Sequence, residues 1–223
     1  MNNTFKEKTK KHINNQNIFT KLEKYVFLIE EKNKVINLTG FTGDKLWEQG
    51  IYESIILLEM SFNNNEGNIL DIGAGAGFPS VPYLIAHPEK KLTIYEPIGK
   101  RVDFLNEVSK KLDLDIDVQK IRVEDSKEYE KFDFICARAV VEFKILLEIS
   151  HHIAKIGADF AFIKGKKAKK EIHEARFQIK NFNVNPKIKK SIINQKENNI
   201  IFYKKENKTP KNFPRKWSVI KKA

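Results

Sequence analysis

Leu70-Asp71-Ile72-Gly73-Ala74-Gly75-Ala76-Gly77-Phe78-Pro79 decides how this chain folds. Asn68 to Ile72 is a short apolar run of strand length, and Phe78 to Ala86 has the length and character of a short helix. Between them a glycine stands at every second position. A strand that turns through glycines into a helix lets a ligand approach the backbone and offers it the free N–H groups of the helix start. The spacing is Gly-x-Gly-x-Gly. A nicotinamide or flavin fingerprint needs Gly-x-Gly-x-x-Gly, and position 78 is Phe; no Gly-Lys-Ser/Thr follows, which excludes a P-loop.

Outward from this loop, strands and helices alternate. Lys91 to Tyr95 reads as a second strand, Ile98 to Leu112 as an amphipathic helix, and Ile116 to Val118 and Phe132 to Ala137 as strands three and four. A helix from Val141 to Ala154 and a fifth strand, Asp159 to Ile163, continue the pattern of a doubly wound, mostly parallel sheet. Val184 to Ile193 and Asn198 to Tyr203 read as two further strands with only a few polar residues between them. A parallel pair needs a crossover of about a dozen residues or more, so these two form an antiparallel hairpin. Dinucleotide-binding domains end on parallel strands, whereas class I methyltransferases end on such a hairpin. The expected fold is therefore α/β: a Rossmann-like class I methyltransferase with a mostly parallel seven-stranded sheet and an N-terminal helical cap.

Glu96 closes the second strand, 25 positions beyond Asp71. An acid placed there accepts hydrogen bonds from the ribose hydroxyls of an adenosine. Gly73, Gly75 and Gly77 with Glu96 point to S-adenosylmethionine, and Val123-Glu124 follows strand three where adenine is expected. Asp71 is expected to hold the loop or the cofactor's amino group rather than act as a base. Cys136, the single cysteine, lies in an apolar strand and reads as an inert core residue. The five histidines are scattered and no metal site is expected.

Residues 1–16 are polar and basic and are expected to form a disordered arm, and residues 17–66 a helical cap closed by Asn63-Asn64-Asn65-Glu66-Gly67. The catalytic domain is expected over 67–205 and a basic tail over 206–223. The chain has 223 residues and a net charge of +12. From Lys164 onward there are 19 Lys and Arg against 4 Asp and Glu, while the preceding part is slightly acidic. That concentration suits a polyanionic partner; a Lys- and Asn-rich composition bias is the alternative. No run approaches the ~20 apolar residues of a membrane span, and the N-terminus lacks a signal-peptide core. With one cysteine and a mean hydropathy of −0.48, a cytoplasmic protein is expected, and with no sustained apolar seam, a monomer.

The acceptor leaves its marks after strand four. Enzymes acting on exocyclic amines carry an Asn/Asp-Pro-Pro-aromatic motif there, and C5 enzymes a nucleophilic cysteine; this chain has Cys136-Ala137-Arg138-Ala139-Val140. An acceptor with its own lone pair remains, either a ring nitrogen such as guanine N7 or a small molecule. Guanine N7 needs no general base, so catalysis is mostly alignment. Arg138 is the candidate at the mouth of the site, to hold a cofactor oxygen, a guanine edge or a phosphate, with a structural salt bridge as the other reading.

Asn37-Leu38-Thr39, Leu70 through Pro82, Gly99-Lys100-Arg101-Val102-x-Phe104-Leu105, Arg122-Val123-Glu124, Ala137-Arg138-Ala139 and Lys164-Gly165 occur in order. Together they resemble the bacterial small-subunit ribosomal RNA guanine-N7 methyltransferases, also called the glucose-inhibited division protein B family. Thr209 to Lys216 is similar to the basic tail of Gram-positive-type members. The resemblance implies methyl transfer to N7 of one guanosine in the decoding region of 16S rRNA, as free RNA or in a small-subunit particle. It also implies cofactor positions at Gly73, Phe78, Val123, Glu124 and Arg138. Many members carry Arg-His where this chain has Gln49-Gly50, so that pair's role does not carry over, and Ser80 stands in place of a common glycine. Lys100, Arg101, Lys164, Lys166 and Lys167, near loop or helix ends on the strands' carboxyl side, are the expected RNA contacts. The rival readings are a small-molecule methyltransferase and a non-catalytic RNA-binding protein on the same fold.

Overall fold

The computed structural model describes residues 4–62 and 67–221. The chain opens with α1 (Phe5–Ile13) and α2 (Gln16–Asn33); α3 (Gly43–Lys45) then runs through a π-helical stretch (Leu46–Tyr52) into α4 (Glu53–Glu59). The expectation of a disordered arm over residues 1–16 is corrected from Thr4 onward. Thr4 caps α1 by accepting from the Glu7 N–H at 3.4 Å, and Asp44 accepts the Phe5 N–H at 3.0 Å. Phe5 and Thr9 are buried against the following helices, and His12 meets Glu59 at 2.9 Å. The basic residues that suggested fraying take part in the docking: Lys6 pairs with Glu23 at 2.7 Å, and the Lys10 ammonium lies 5.7 Å from the centroid of the Phe19 ring. Residues 63–66 of the expected closing turn lie outside the described residues.

The alternating part runs β1 (Asn68–Ile72), α5 (Ser80–Ala86), β2 (Lys91–Tyr95), α6 (Gly99–Leu112), β3 (Ile116–Gln119), β4 (Phe132–Arg138), α7 (Phe143–Ser150) and β5 (Ala154–Lys164). Two short helices follow, α8 (Ala168–Glu174) and α9 (Arg176–Phe182), then β6 (Lys187–Ile193), β7 (Lys196–Lys204) and α10 (Trp217–Ile220). One seven-stranded sheet results, in the order β3-β2-β1-β4-β5-β7-β6. The first five strands are parallel, and β7 lies antiparallel to both β5 and β6. The mostly parallel sheet with a terminal hairpin is as expected. Strand five begins earlier than expected because Phe132 pairs with Ala154 across an irregularity in the register. Strand six begins later: Pro186 has no N–H to give a ladder.

Period-two alternation sends neighbouring residues to opposite faces. Ile69, Phe134, Cys136 and Ala161 join the core beneath the helical cap, while Leu70, Ile135, Phe160 and Phe162 join the core beneath α7 and α9. Connections leave β1 for β2 on one side and β4 lies on the other. The crevice at the carboxyl ends of β1 and β4 is thus the switch point where open α/β sheets bind ligands.

Candidate active site

The Gly-rich loop sits at that switch point. Gly73 (φ +68°) donates to the Tyr95 carbonyl at 2.8 Å, and a Cβ there would come within 3.1 Å of Val140. Gly77 (φ +104°) is tighter: a Cβ would lie 2.5 Å from the Tyr25 hydroxyl and 2.7 Å from Val81. The Tyr25 hydroxyl donates to the Ala76 carbonyl, so the cap grips the loop from outside.

Glu96 is buried at the end of β2. One carboxylate oxygen accepts the Gly75 N–H and the other the Ile98 N–H, both at 3.0 Å. Asp71, fully buried, accepts the Ser80 N–H at 3.3 Å and so ties β1 to the start of α5. Burial pushes its pKa up to about 7, against the pull of the hydrogen bonds from Ser80. The Cys136 thiol beside it is fully buried and its pKa is driven well up, also chiefly by burial, which keeps it an inert thiol.

Two clefts open here. The first is lined by Ile72, Gly73, Tyr95, Val123, Glu124 and Trp217, among others. Val123 and Glu124 lie in a 3₁₀ turn after β3. The Glu124 Oε1 is buried without a hydrogen-bond partner, and burial raises the pKa of this carboxyl. A mostly apolar slot beside a glycine loop, with one buried acceptor in its wall, fits the adenosine end of S-adenosylmethionine. The second cleft, about 390 Å³, is lined by Arg138 to Glu142, Ile163 to Gly165, Glu171, and Lys196 to Asn198. The two share Val140 and Val141, directly beside Gly73.

Arg138 is held from the cap. Its guanidinium donates to the Gln49 carbonyl at 2.6 Å, to Ser54 Oγ at 3.2 Å and to Glu53 Oε2 at 2.9 Å. The structural salt bridge is what the geometry shows, and this buried ion pair borders the second cleft. Phe78 packs on Tyr25 and Phe41 of the cap, with ring centroids 6.2 and 6.3 Å away, and is not among the residues that line either cleft. Of the expected RNA contacts, Lys100, Lys166 and Lys167 are exposed. Arg101 lies 3.8 Å from Glu96, and Lys164 is only 8% exposed, bonded to Glu171 at 2.8 Å and to the Val141 carbonyl.

Sequence reasoning missed Glu53, which is fully buried and also bonds Lys196 at 3.1 Å and Asn198 at 3.4 Å. A signal was present: Leu46, Gly50, Glu53 and Leu57 recur at helical spacing, putting a carboxylate on an apolar stripe. Gly50 itself touches the site's support, since a Cβ there would lie 2.8 Å from Phe78 Cζ. Among the described residues no group of three or more His, Cys, Asp and Glu is placed to hold a metal ion, and no helix is long and apolar enough to cross a membrane.

This strand order, with a glycine loop at its switch point and an acid closing β2, defines a class I S-adenosylmethionine-dependent methyltransferase. The family profile described as rRNA small subunit methyltransferase G matches residues 18–201. The chain belongs to that family. Ribosomal RNA small subunit methyltransferase G of Mycoplasmopsis pulmonis is 44% identical over 213 residues, covering 93% of each chain. Its counterpart in Staphylococcus carnosus is 34% identical over 209 residues, covering 89% of this chain and 87% of the relative. Among solved structures, a SAM-dependent methyltransferase from Aquifex aeolicus superposes with a TM-score of 0.54 at 20% identity, covering 69% of this chain and 90% of that one. The 16S rRNA N2 G1207 methyltransferase of T. thermophilus, in complex with AdoMet and guanosine, gives 0.52 at 13% identity over 70% of this chain and 40% of that one. At these identities the two structures speak for the fold.

Proposed function

We propose that this chain methylates N7 of one guanosine in 16S rRNA, working as a cytoplasmic monomer without a metal. The observation that carries the reading is the meeting of the two clefts at Val140 and Val141, beside Gly73. When bound, S-adenosylmethionine supplies an electrophilic methyl group. Gly73, Gly75, Val123 and Glu124 would bind it, and Glu96, which accepts the Gly75 N–H at 3.0 Å, would accept hydrogen bonds from the ribose hydroxyls.

The second cleft is the acceptor site, and its volume falls within the range of ligand pockets. Its carboxylates all lie near lysines: Glu142 is 3.7 Å from Lys144, Glu171 is 2.8 Å from Lys164 and Glu197 is 3.3 Å from Lys190. Such a lining orients a polar base rather than stripping protons from it. Guanine N7 offers its lone pair at neutral pH, so positioning is what the reaction requires. Lys100, Lys166 and Lys167, together with the basic residues beyond Lys164, hold the phosphate backbone.

Incubation with methyl-labelled cofactor and either unmodified 16S rRNA or small-subunit particles tests the reading. RNA labelled by the wild type but not by Glu96→Ala supports it. Cofactor binding without RNA labelling moves the assignment to a small-molecule acceptor.

A further inference from the structure

The segment after β7 does more than carry charge. Arg215 makes three hydrogen bonds to Glu148 of α7, from its backbone N–H at 3.2 Å and from Nε and Nη2 at 2.7 Å each. Glu148 is fully buried, and the Arg215 guanidinium lies 5.1 Å from the Phe177 ring and 5.7 Å from Phe213. Phe213 in turn packs on Phe182 at 4.7 Å, and Ile220 is buried at the far end. A charged pair with this many bonds, anchored on a rigid helix, fixes the register of the chain around it.

Two residues after Arg215, that register sets Trp217 into the wall of the first cleft, which Gly73, Val123 and Glu124 also line. The ring is 37% exposed, and the Arg122 guanidinium lies 5.9 Å from its centroid. Arg122 also reaches Glu124 at 3.8 Å, so Trp217, Arg122 and Glu124 form one edge of the cleft. The cleft is narrow, about 80 Å³, against roughly 300 Å³ or more for typical ligand pockets. Trp217 therefore stands within reach of anything planar that enters.

We propose that Trp217 is a cofactor-binding residue that forms the outer wall against the adenine ring, and that the Arg215–Glu148 pair is the latch that positions it. This rests on the assignment of the first cleft to the adenosine end of the cofactor. A large, partly exposed aromatic with a guanidinium over one face of its ring suits a purine on the other face, which it can cover at little entropic cost.

The sequence has two tryptophans, so Trp47→Phe leaves Trp217 as the sole indole reporter. Titration of that variant with S-adenosylhomocysteine, and separately with adenosine, should change its emission saturably, with the dissociation constants that calorimetry gives. Trp217→Ala should weaken both ligands by about tenfold, as loss of one aromatic stacking partner does. Trp217→Phe should recover most of that loss. Arg215→Ala, which keeps the indole but frees it from its position, should weaken both ligands to a similar degree and blunt the emission change. Unchanged emission, with affinities of Trp217→Ala and Trp217→Phe within twofold of wild type, overturns the proposal. Val123→Trp tests the premise separately, since it fills the slot: loss of ligand binding upholds the cleft assignment, and retained binding removes it.

Discussion

Arg138, the last residue of β4, bonds Glu53 of the helical cap at 2.9 Å, and the Glu53 side chain has no exposure to solvent. A residue that lines the second cleft thus also bolts the cap to the sheet. Arg138→Ala leaves Glu53 buried with Lys196 and Asn198 alone. Removing one partner from a buried charge that keeps another costs on the order of 2 kcal/mol. Denaturant unfolding should show a loss of that size, with a large coupling energy when Glu53→Gln is added. An unchanged midpoint would mean the pair contributes nothing to holding the cap.

Glu96 has a separable role. Its carboxylate positions two loop amides and lies where a ribose would be gripped. Hydrogen bonds to a charged group are worth roughly 1.5–3 kcal/mol, so Glu96→Ala should weaken S-adenosylhomocysteine binding on the order of tenfold or more. Calorimetry that returns the wild-type affinity would take Glu96 out of the site.

Asp71 predicts a pH effect with a definite sign. Its folded pKa is raised to about 7 from an ordinary 3.8, so over that window the fold keeps a proton the unfolded chain has released. This contribution to stability is fully present below about pH 4 and is lost as pH rises through about 7. His151 and His152 act oppositely: burial holds them neutral, with pKa values pushed down to about 3 and about 4, so their contribution is lost as pH falls below 6.5. Asp71→Asn removes the first effect and leaves the second. Its stability should therefore rise with pH more steeply than that of the wild type, by about 1.4 kcal/mol per unit between pH 4 and 7. Parallel stability curves for the two proteins would contradict the burial of a protonated Asp71.

The five basic residues expected to meet RNA divide by environment. Replacing exposed Lys100, Lys166 and Lys167 together with alanine should reduce the salt dependence of RNA binding, by about 0.7–0.9 in slope for each phosphate left without its lysine. Lys164→Ala should leave that slope alone and lower stability instead, because Lys164 braces Glu171 and the Val141 carbonyl inside the cleft wall. Filter binding across a salt series distinguishes the two groups.

Local signals explain what was legible in the sequence. The glycine loop and its flanking strand and helix are consecutive residues, and the short gap between β6 and β7 forces an antiparallel pair, so both the loop and the hairpin could be read from adjacent residues. The place of Glu96 beside the loop was legible because the end of β2 is a fixed distance from it. The partners of Arg138 were not, because Gln49, Ser54 and Glu53 lie 89, 84 and 85 positions away in sequence and only folding brings them together. The N-terminal helix was hidden by its basic surface: two buried residues, Phe5 and Thr9, anchor it among lysines. Trp217 was passed over for the same reason. Trp217, Val219 and Ile220 interrupt a lysine-rich tail, and such a break in a basic run marks a segment that docks.

Locating the methyl group tests transfer to a guanine N7 of small-subunit RNA without an intermediate inference. Unmodified 16S rRNA and small-subunit particles, each treated with the enzyme and labelled cofactor, would be cleaved by chemistry specific for N7-methylguanosine and read by primer extension. A single stop at one guanosine, absent without enzyme, is the result expected. Label that resists N7-specific cleavage, or no label in RNA from a protein that binds the cofactor, would contradict the account.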